Sequence, residues 1–304
     1  MRKKLVWVVA AALLSWVPAA RAAEGLTKIA EDVYSYVGVQ DSSPANSYAA
    51  NAGIVIGKDA VLVVDTLISA REAERFLADI RKVTDKPIRY VVNTHTHLDH
   101  AFGNCVFAKL GAVVISQEKD REGLEKIAAV ALKNAVAFGV SEEMLQGTTI
   151  SVPTISFPQA ARVDLGGIAV ELIAAAPSHS PGSAFVWVPS RKVVFAGDVL
   201  FTDFHPYMGD GDVAGWLKAL DAIAALDVTA IVPGHGPLST KKDLAEMHAY
   251  LTTFDAKARE MAKTGASAAA IVAELKKILP ARSQGEWMIG ANVNGMYLGK
   301  HDTR

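Results

Sequence analysis

The chain has 304 residues, is 51% hydrophobic and carries a formal charge of −1. That length supports one large domain or two small ones, and the near-neutral balance lacks the basic surface that a nucleic-acid partner requires. Cys105 is the only cysteine, which excludes an intramolecular disulfide and leaves stability to the core and to any bound metal.

The chain opens on Arg2, Lys3 and Lys4, followed by an apolar stretch over residues 5–17 and the small-residue site Ala20-Arg21-Ala22. This is the pattern of an export signal, and the apolar run falls short of the roughly 20 residues needed to span a bilayer. The expectation is a signal peptide over 1–22 and a single domain over 23–304. The mature chain is then periplasmic or secreted, with no stable membrane insertion once the signal is removed.

Strands are expected over 33–39, 47–56 and 60–64, the last two divided by the tight turn Gly57-Lys58-Asp59-Ala60. A helix over 69–83 places Ala73, Phe76, Leu77 and Ile80 on one face. A short apolar strand over 88–92 ends directly on Asn93-Thr94-His95, and a short helix near Phe102 and a strand over 112–116 follow. Residues 118–146 read as helical with a break near Phe138-Gly139. Strands resume over 161–165, 168–174, 184–188 and 192–196, then a helix over 213–226 and a strand over 229–232. The tail is helical over 240–263 and 267–278. Strands leading and helices following in each half favour an α/β fold of two mixed sheets packed together and flanked by helices.

The chemistry concentrates in His95-Thr96-His97-Leu98-Asp99-His100, where four metal-ligating side chains fall in six residues just after a strand. In an extended segment His95, His97 and Asp99 point the same way. Imidazole and carboxylate donors suit zinc, and burying four such groups without a cation between them is costly. Four donors crowd a single ion once others arrive, so two neighbouring metals are expected. The other donors stand at other strand ends: His179 in Pro177-Ser178-His179-Ser180-Pro181-Gly182-Ser183, Asp198 in Ala196-Gly197-Asp198, and His235 in Pro233-Gly234-His235-Gly236. The neighbouring glycines allow close backbone approach. His205 is a further candidate for the pocket mouth, whereas His248 and His301 read as surface residues.

With these four loops the chain resembles the metallo-β-lactamase superfamily, whose signature is His-x-His-x-Asp-His followed by three separate ligands. The match runs from about residue 33 to residue 235. The resemblance implies an αββα sandwich with the site along one edge of its two sheets. It implies that His95, His97 and His179 hold a first zinc, that Asp99, His100 and His235 hold a second, and that Asp198 bridges them as in the glyoxalase II-like branch. Typical β-lactamases with similar histidines carry cysteine at the position of Asp198 and lysine at that of Phe201; both differences point away from a dedicated lactamase. Against the glyoxalase branch, the interval from His100 to His179 is long and no counterpart of the glutathione-binding basic residues is evident. Gly211-Asp212-Val213, Trp216 and Asn292-Val293-Asn294 are closer to an exported branch of quinoprotein-relay-like metallohydrolases.

The expected reaction is hydrolysis of a small ester, thioester, lactone or β-lactam by a metal-bound hydroxide, since two zinc ions sharing a water lower its pKa toward neutrality. Asp99 is expected to bind metal and orient the nucleophile. Asp65 is expected to fix a histidine tautomer from behind, with Thr94, Thr96 and Asn104 supporting the loop and Cys105 buried as a small apolar residue. The alternatives are iron redox chemistry on the same ligands, as in persulfide dioxygenases, and a non-catalytic exported relay protein.

Overall fold

Runs of β-branched and aromatic residues build two sheets. The first contains β1 (Leu26–Ala30), β2 (Val33–Tyr36), β3 (Ala52–Ile56), β4 (Val61–Val64), β5 (Ile88–Val92), β6 (Val113–Gln117) and β7 (Ile155–Phe157), in that spatial order. β1 to β4 pair antiparallel and β4 to β7 parallel. The second sheet runs β12 (Ala230–His235), β11 (Val193–Phe201), β10 (Ala184–Val188), β9 (Ala169–Ala174), β8 (Ala160–Asp164), with β11 and β12 parallel and the rest antiparallel. These descriptions come from a computed structural model that describes residues 25–37 and 42–299. The expected signal peptide, and residues 38 and 39 of the strand expected over 33–39, lie outside the described residues.

Val55, Leu62, Val64 and Val92 of the first sheet face Leu172, Val186, Phe195 and Val232 of the second, forming a dry inner layer. Strands buried on both faces need a second apolar set, and helices supply it. On the first sheet α1 (Ala70–Val83), α2 (Leu98–Ala101) and α3 (Asn104–Lys109) follow β4 and β5, with Phe76, Ile80 and Phe107 packed over Ile54 and Val63. α4 (Glu118–Ile127) and α5 (Ala131–Ala137) form a smaller cluster with Ile68 and Phe102. On the second sheet lie α6 (Val213–Ala224), α7 (Lys241–Lys263), α8 (Ala268–Ile278) and α9 (Trp287–Asn292), burying Trp216, Phe254 and Leu275. The result is the αββα sandwich. Among the described residues no helix is long and apolar enough to cross a membrane.

Helix ends follow local chemistry. Ser69 caps α1 by accepting from Glu72 N, and Thr240 and Asp243 form a reciprocal capping box at the start of α7. Some boundaries differ from the sequence reading. Residues 44–49 form a tight 3-10 turn instead of extending β3, with Ser47, Tyr48 and Ala49 all at positive φ. The helical stretch after β6 breaks at Phe138-Gly139 as expected, but also at 128–130, and no helix follows over 140–146. β11 runs on to Phe201, so Asp198 lies within the strand instead of after it. Strands β1 and β7 and helix α9 are additional to the expected set.

Candidate metal centre

β5 delivers the first ligand run at its carboxyl end. The chain bends after β5 at Thr94 and His95, and from His97, an extended residue at the N-cap position of α2, it turns helical. The expectation that Asp99 continues the extended direction of His95 and His97 is therefore corrected. One helical turn sends Asp99 and His100 to a second cluster.

Two groups result: His95, His97, His179 and Asp198 on one side, and Asp99, His100 and His235 on the other, with the donor atoms within each group no more than 4.8 Å apart. Asp198 faces both. Its Oδ2 lies 3.2 Å from His179 Nε2 and 3.7 Å from His95 Nε2, and its Oδ1 lies 3.1 Å from His100 Nε2 and 3.4 Å from His235 Nε2. The β11–β12 pairing is irregular on both sides of Asp198, between Phe195 and Gly197 and again before Phe201. Such irregularity re-aims a side chain next to a site. Gly234 passes so close that a Cβ there would sit 1.9 Å from Asp198 Oδ1, which explains the glycine before His235.

Each histidine is oriented from behind. His179 Nδ1 donates to Tyr207 O at 3.1 Å and His235 Nδ1 to Tyr48 O at 3.0 Å. A carbonyl only accepts, so both rings carry a proton on Nδ1 and turn Nε2 inward, where a cation would take its lone pair. His100 Nδ1 faces Asp65 Oδ2 at 2.9 Å, and Asp65 also accepts from Thr94 N at 2.8 Å and Thr94 Oγ1 at 2.7 Å. His97 is turned the other way: Nδ1 faces His179 Nε2 at 2.9 Å, while Nε2 contacts Asp210 Oδ2 at 3.1 Å.

Burial holds His95 well below the usual imidazole range and pushes His179 down to about 4. Burial also opposes charge on His100 and His235, but Asp198 and Asp99 outweigh it, raising His100 well above that range and His235 to about 9. Asp198 stays well below the carboxylate range despite its burial because His235, His100 and His179 surround it. Asp99 is likewise lowered, by His100 and His235, against its burial.

A metal fits this donor set. His95 Nε2 and Asp198 Oδ1 are buried polar atoms without a hydrogen-bond partner, although buried polar groups normally find one. Both point into the shared space between the groups. Inward imidazole lone pairs beside ionised carboxylates are the donors a divalent cation takes.

Every residue of the expected ligand set is in the cluster; His205 is not. It is buried behind Phe204, with Nδ1 2.8 Å from Tyr250 Oη, and burial pushes it down to about 4. Asp65 and Thr94 support the loop as expected. Asn104 locks the end of α2 by exchanging bonds with Asn93, which also donates to His100 O. Cys105 is buried. Three contributors went unread. Asp120, at the start of α4, accepts from Thr96 N and Gly182 N, both at 2.9 Å, tying the His97 loop to the His179 loop. Asn51 donates to Pro233 O and Gly236 O, clamping the His235 turn. Asp210 backs His97. An acid in a helix's first turn, an asparagine before a strand and an aspartate between glycines all read as ordinary turn and cap residues.

The sandwich and its ligand edge define a fold that can hold metal between its two sheets. Residues 46–235 match the metallo-beta-lactamase superfamily, and the chain belongs to it. A linear primary-alkylsulfatase of a Pseudomonas species is 24% identical over 229 residues, which is 62% of this chain and 42% of that protein. A type 2 metallo-beta-lactamase of Bacteroides fragilis is 24% identical over 216 residues, 69% of this chain and 78% of that protein. Among solved structures, a stereoselective inverting sec-alkylsulfatase from Pseudomonas sp. superposes with a TM-score of 0.69 at 17% identity, covering 92% of this chain and 51% of that one. A metallo-beta-lactamase from Pontibacter korlensis gives 0.59 at 20% identity, covering 75% and 98%. The chain thus spans about half or less of the length of its alkylsulfatase relatives.

Proposed function

We propose that the chain is a dinuclear zinc hydrolase acting on a small carbonyl substrate: an ester, thioester, lactone or β-lactam. The observation that carries this reading is Asp198, one oxygen of which faces each of the two histidine groups. His95, His97 and His179 would hold one ion, Asp99, His100 and His235 the other, and Asp198 both. Bound there, zinc supplies a Lewis acid and a water acidified toward neutrality.

The chain's own residues do the rest. Asp99 stays ionised beside His100 and His235, so a carboxylate oxygen is ready to accept a hydrogen bond from an attacking water and orient it. Tyr207, whose ring lies 6.1 Å from that of His97, keeps its hydroxyl proton because burial, aided by Asp210, pushes it up to about 12. Tyr48, Leu98 and Met144 are partly buried against the cluster of Ile68, Phe102 and the α4–α5 residues, and Tyr48 Oη donates to the carbonyl of exposed Phe138. This is an apolar rim for the acyl or ring portion of a substrate. The residue three after Asp198 is Phe201, buried against His235, in place of a cation that would grip a carboxylate.

The test is metal analysis of the purified protein, followed by turnover. Two zinc ions per chain are expected, with hydrolysis of lactones, thioesters or nitrocefin-like lactams. Asp198→Ala should reduce the content to one ion or fewer and activity by at least about a hundredfold. One iron per chain with oxygen consumption would overturn the reading. Turnover confined to alkyl sulfates would overturn its substrate class.

A further inference from the structure

The wall behind the centre is a stretch without regular structure, residues 202–208, that follows β11. Phe201 stacks on His235 with ring centroids 5.0 Å apart and planes 6° apart, Phe204 lies against the same ring, and the Tyr207 carbonyl orients His179. This stretch touches both ligand groups but pairs little with itself. Asp203 sits at positive φ, a conformation a non-glycine residue keeps only when its surroundings impose it.

Thr202 N donates to His235 O, but from Asp203 onward most partners of the stretch come from residues 282–292, beyond the residues that match the family. Arg282 Nη1 donates to Phe201 O at 2.9 Å and Phe204 O at 2.7 Å, with its guanidinium laid over the Tyr250 ring. His205 N donates to Gln284 O at 2.9 Å. Asn292, 1% exposed at the end of α9, brackets Tyr207: its Nδ2 donates to Pro206 O and its Oδ1 accepts from Met208 N, both at 2.8 Å. Of the uncharged side chains, only a primary amide offers a donor and an acceptor at this reach in fixed relation. The two bonds fix the backbone on either side of Tyr207, and with it the direction of the Tyr207 carbonyl.

We infer that Asn292 is a positioning residue for His179, acting through the Tyr207 peptide, with Arg282 holding the preceding turn. Asn292 sets the carbonyl that takes the Nδ1 proton of His179 and thereby the aim of His179 Nε2. The inference rests on the zinc reading above and adds a role for the C-terminal segment.

A double-substitution cycle tests it. Zinc affinity is measured by chelator competition for the wild type, Asn292→Asp, His179→Ala and the pair, together with the melting temperature of each metal-free protein. Asn292→Asp keeps the shape and the acceptor but loses the bond to Pro206 O. It should weaken binding about tenfold, the low end for groups that orient a ligand. The same substitution should cost almost nothing further once His179 is absent. Asn294→Ala, which loses only a bond to Gly290 O, should match the wild type. An additive cycle, wild-type affinity in Asn292→Asp, or an equal affinity loss in Asn294→Ala would overturn the inference. Should Asn292→Asp not fold, Asn292→Gln runs the same cycle. Wild-type protein that binds no zinc would overturn the parent reading as well, and so separates the two failures.

Discussion

At the scale of single residues the centre depends on acceptors that histidines cannot supply for one another. Asp65 is the most committed of them: fully buried, it takes two bonds from Thr94 and faces the outer nitrogen of His100. Burial raises its carboxyl, and the bonds from His100 and Thr94 pull against that. Asp65→Asn keeps the shape but changes an acceptor oxygen into a donor facing groups that also donate. Its expected effect is a loss of about 10- to 100-fold in metal affinity, read by chelator competition; unchanged affinity would show that His100 holds its tautomer without Asp65. Asp65 was legible in the sequence because it closes an apolar strand beside the ligand loop. Asp120 and Asn51 were not, because their partners lie 24 to 62 and 182 to 185 positions away, and nothing local separates a distant clamp from a cap.

At the scale of elements the ligand loops were readable wherever an apolar run stops at a polar, glycine-flanked donor. Periodicity alone could not say that β11 continues past Gly197, because both faces of its end are buried and the alternation disappears. It also missed the short turn at 44–49, whose left-handed residues are held by Tyr48 O meeting His235. The α4–α5 segment has a separate consequence. Phe138 is 72% exposed and its carbonyl holds Tyr48 at the rim. Phe138→Ala should raise KM about tenfold for substrates with an apolar side group, matching the burial of part of one aromatic ring, while kcat and metal content stay at wild-type values. Steady-state kinetics over a series of acyl lengths would show it; a loss that ignores chain length would assign Phe138 a purely structural role.

For the whole molecule, the two sheets are joined at the site edge by few backbone bonds, among them Ala184 N to Thr94 O and Asn51 N to Gly234 O, both 2.7 Å. Ligands come from both sides of that seam, so a bound ion stitches the sandwich together. With free metal a thousandfold above its dissociation constant the folded state gains about 4 kcal/mol, which corresponds to a melting temperature about 8–15 °C higher for a domain of this size. Chelation should remove that increment, and calorimetry with and without added zinc measures it. A melting temperature that ignores the chelator would show that the seam holds without metal. The sandwich itself was legible from the order of strands and helices, but the seam was not, since it is made of main-chain groups common to every residue.

The separation of the ligands along the chain also sets an order of assembly. His95 to His100 are made early, His235 much later, and Asn292 close to the end of the chain. Only after Asn292 folds back on the Tyr207 turn is His179 aimed and the full set of donors closed. The aim of His179 is therefore settled only when residues well beyond the last ligand, His235, have folded onto the Tyr207 turn.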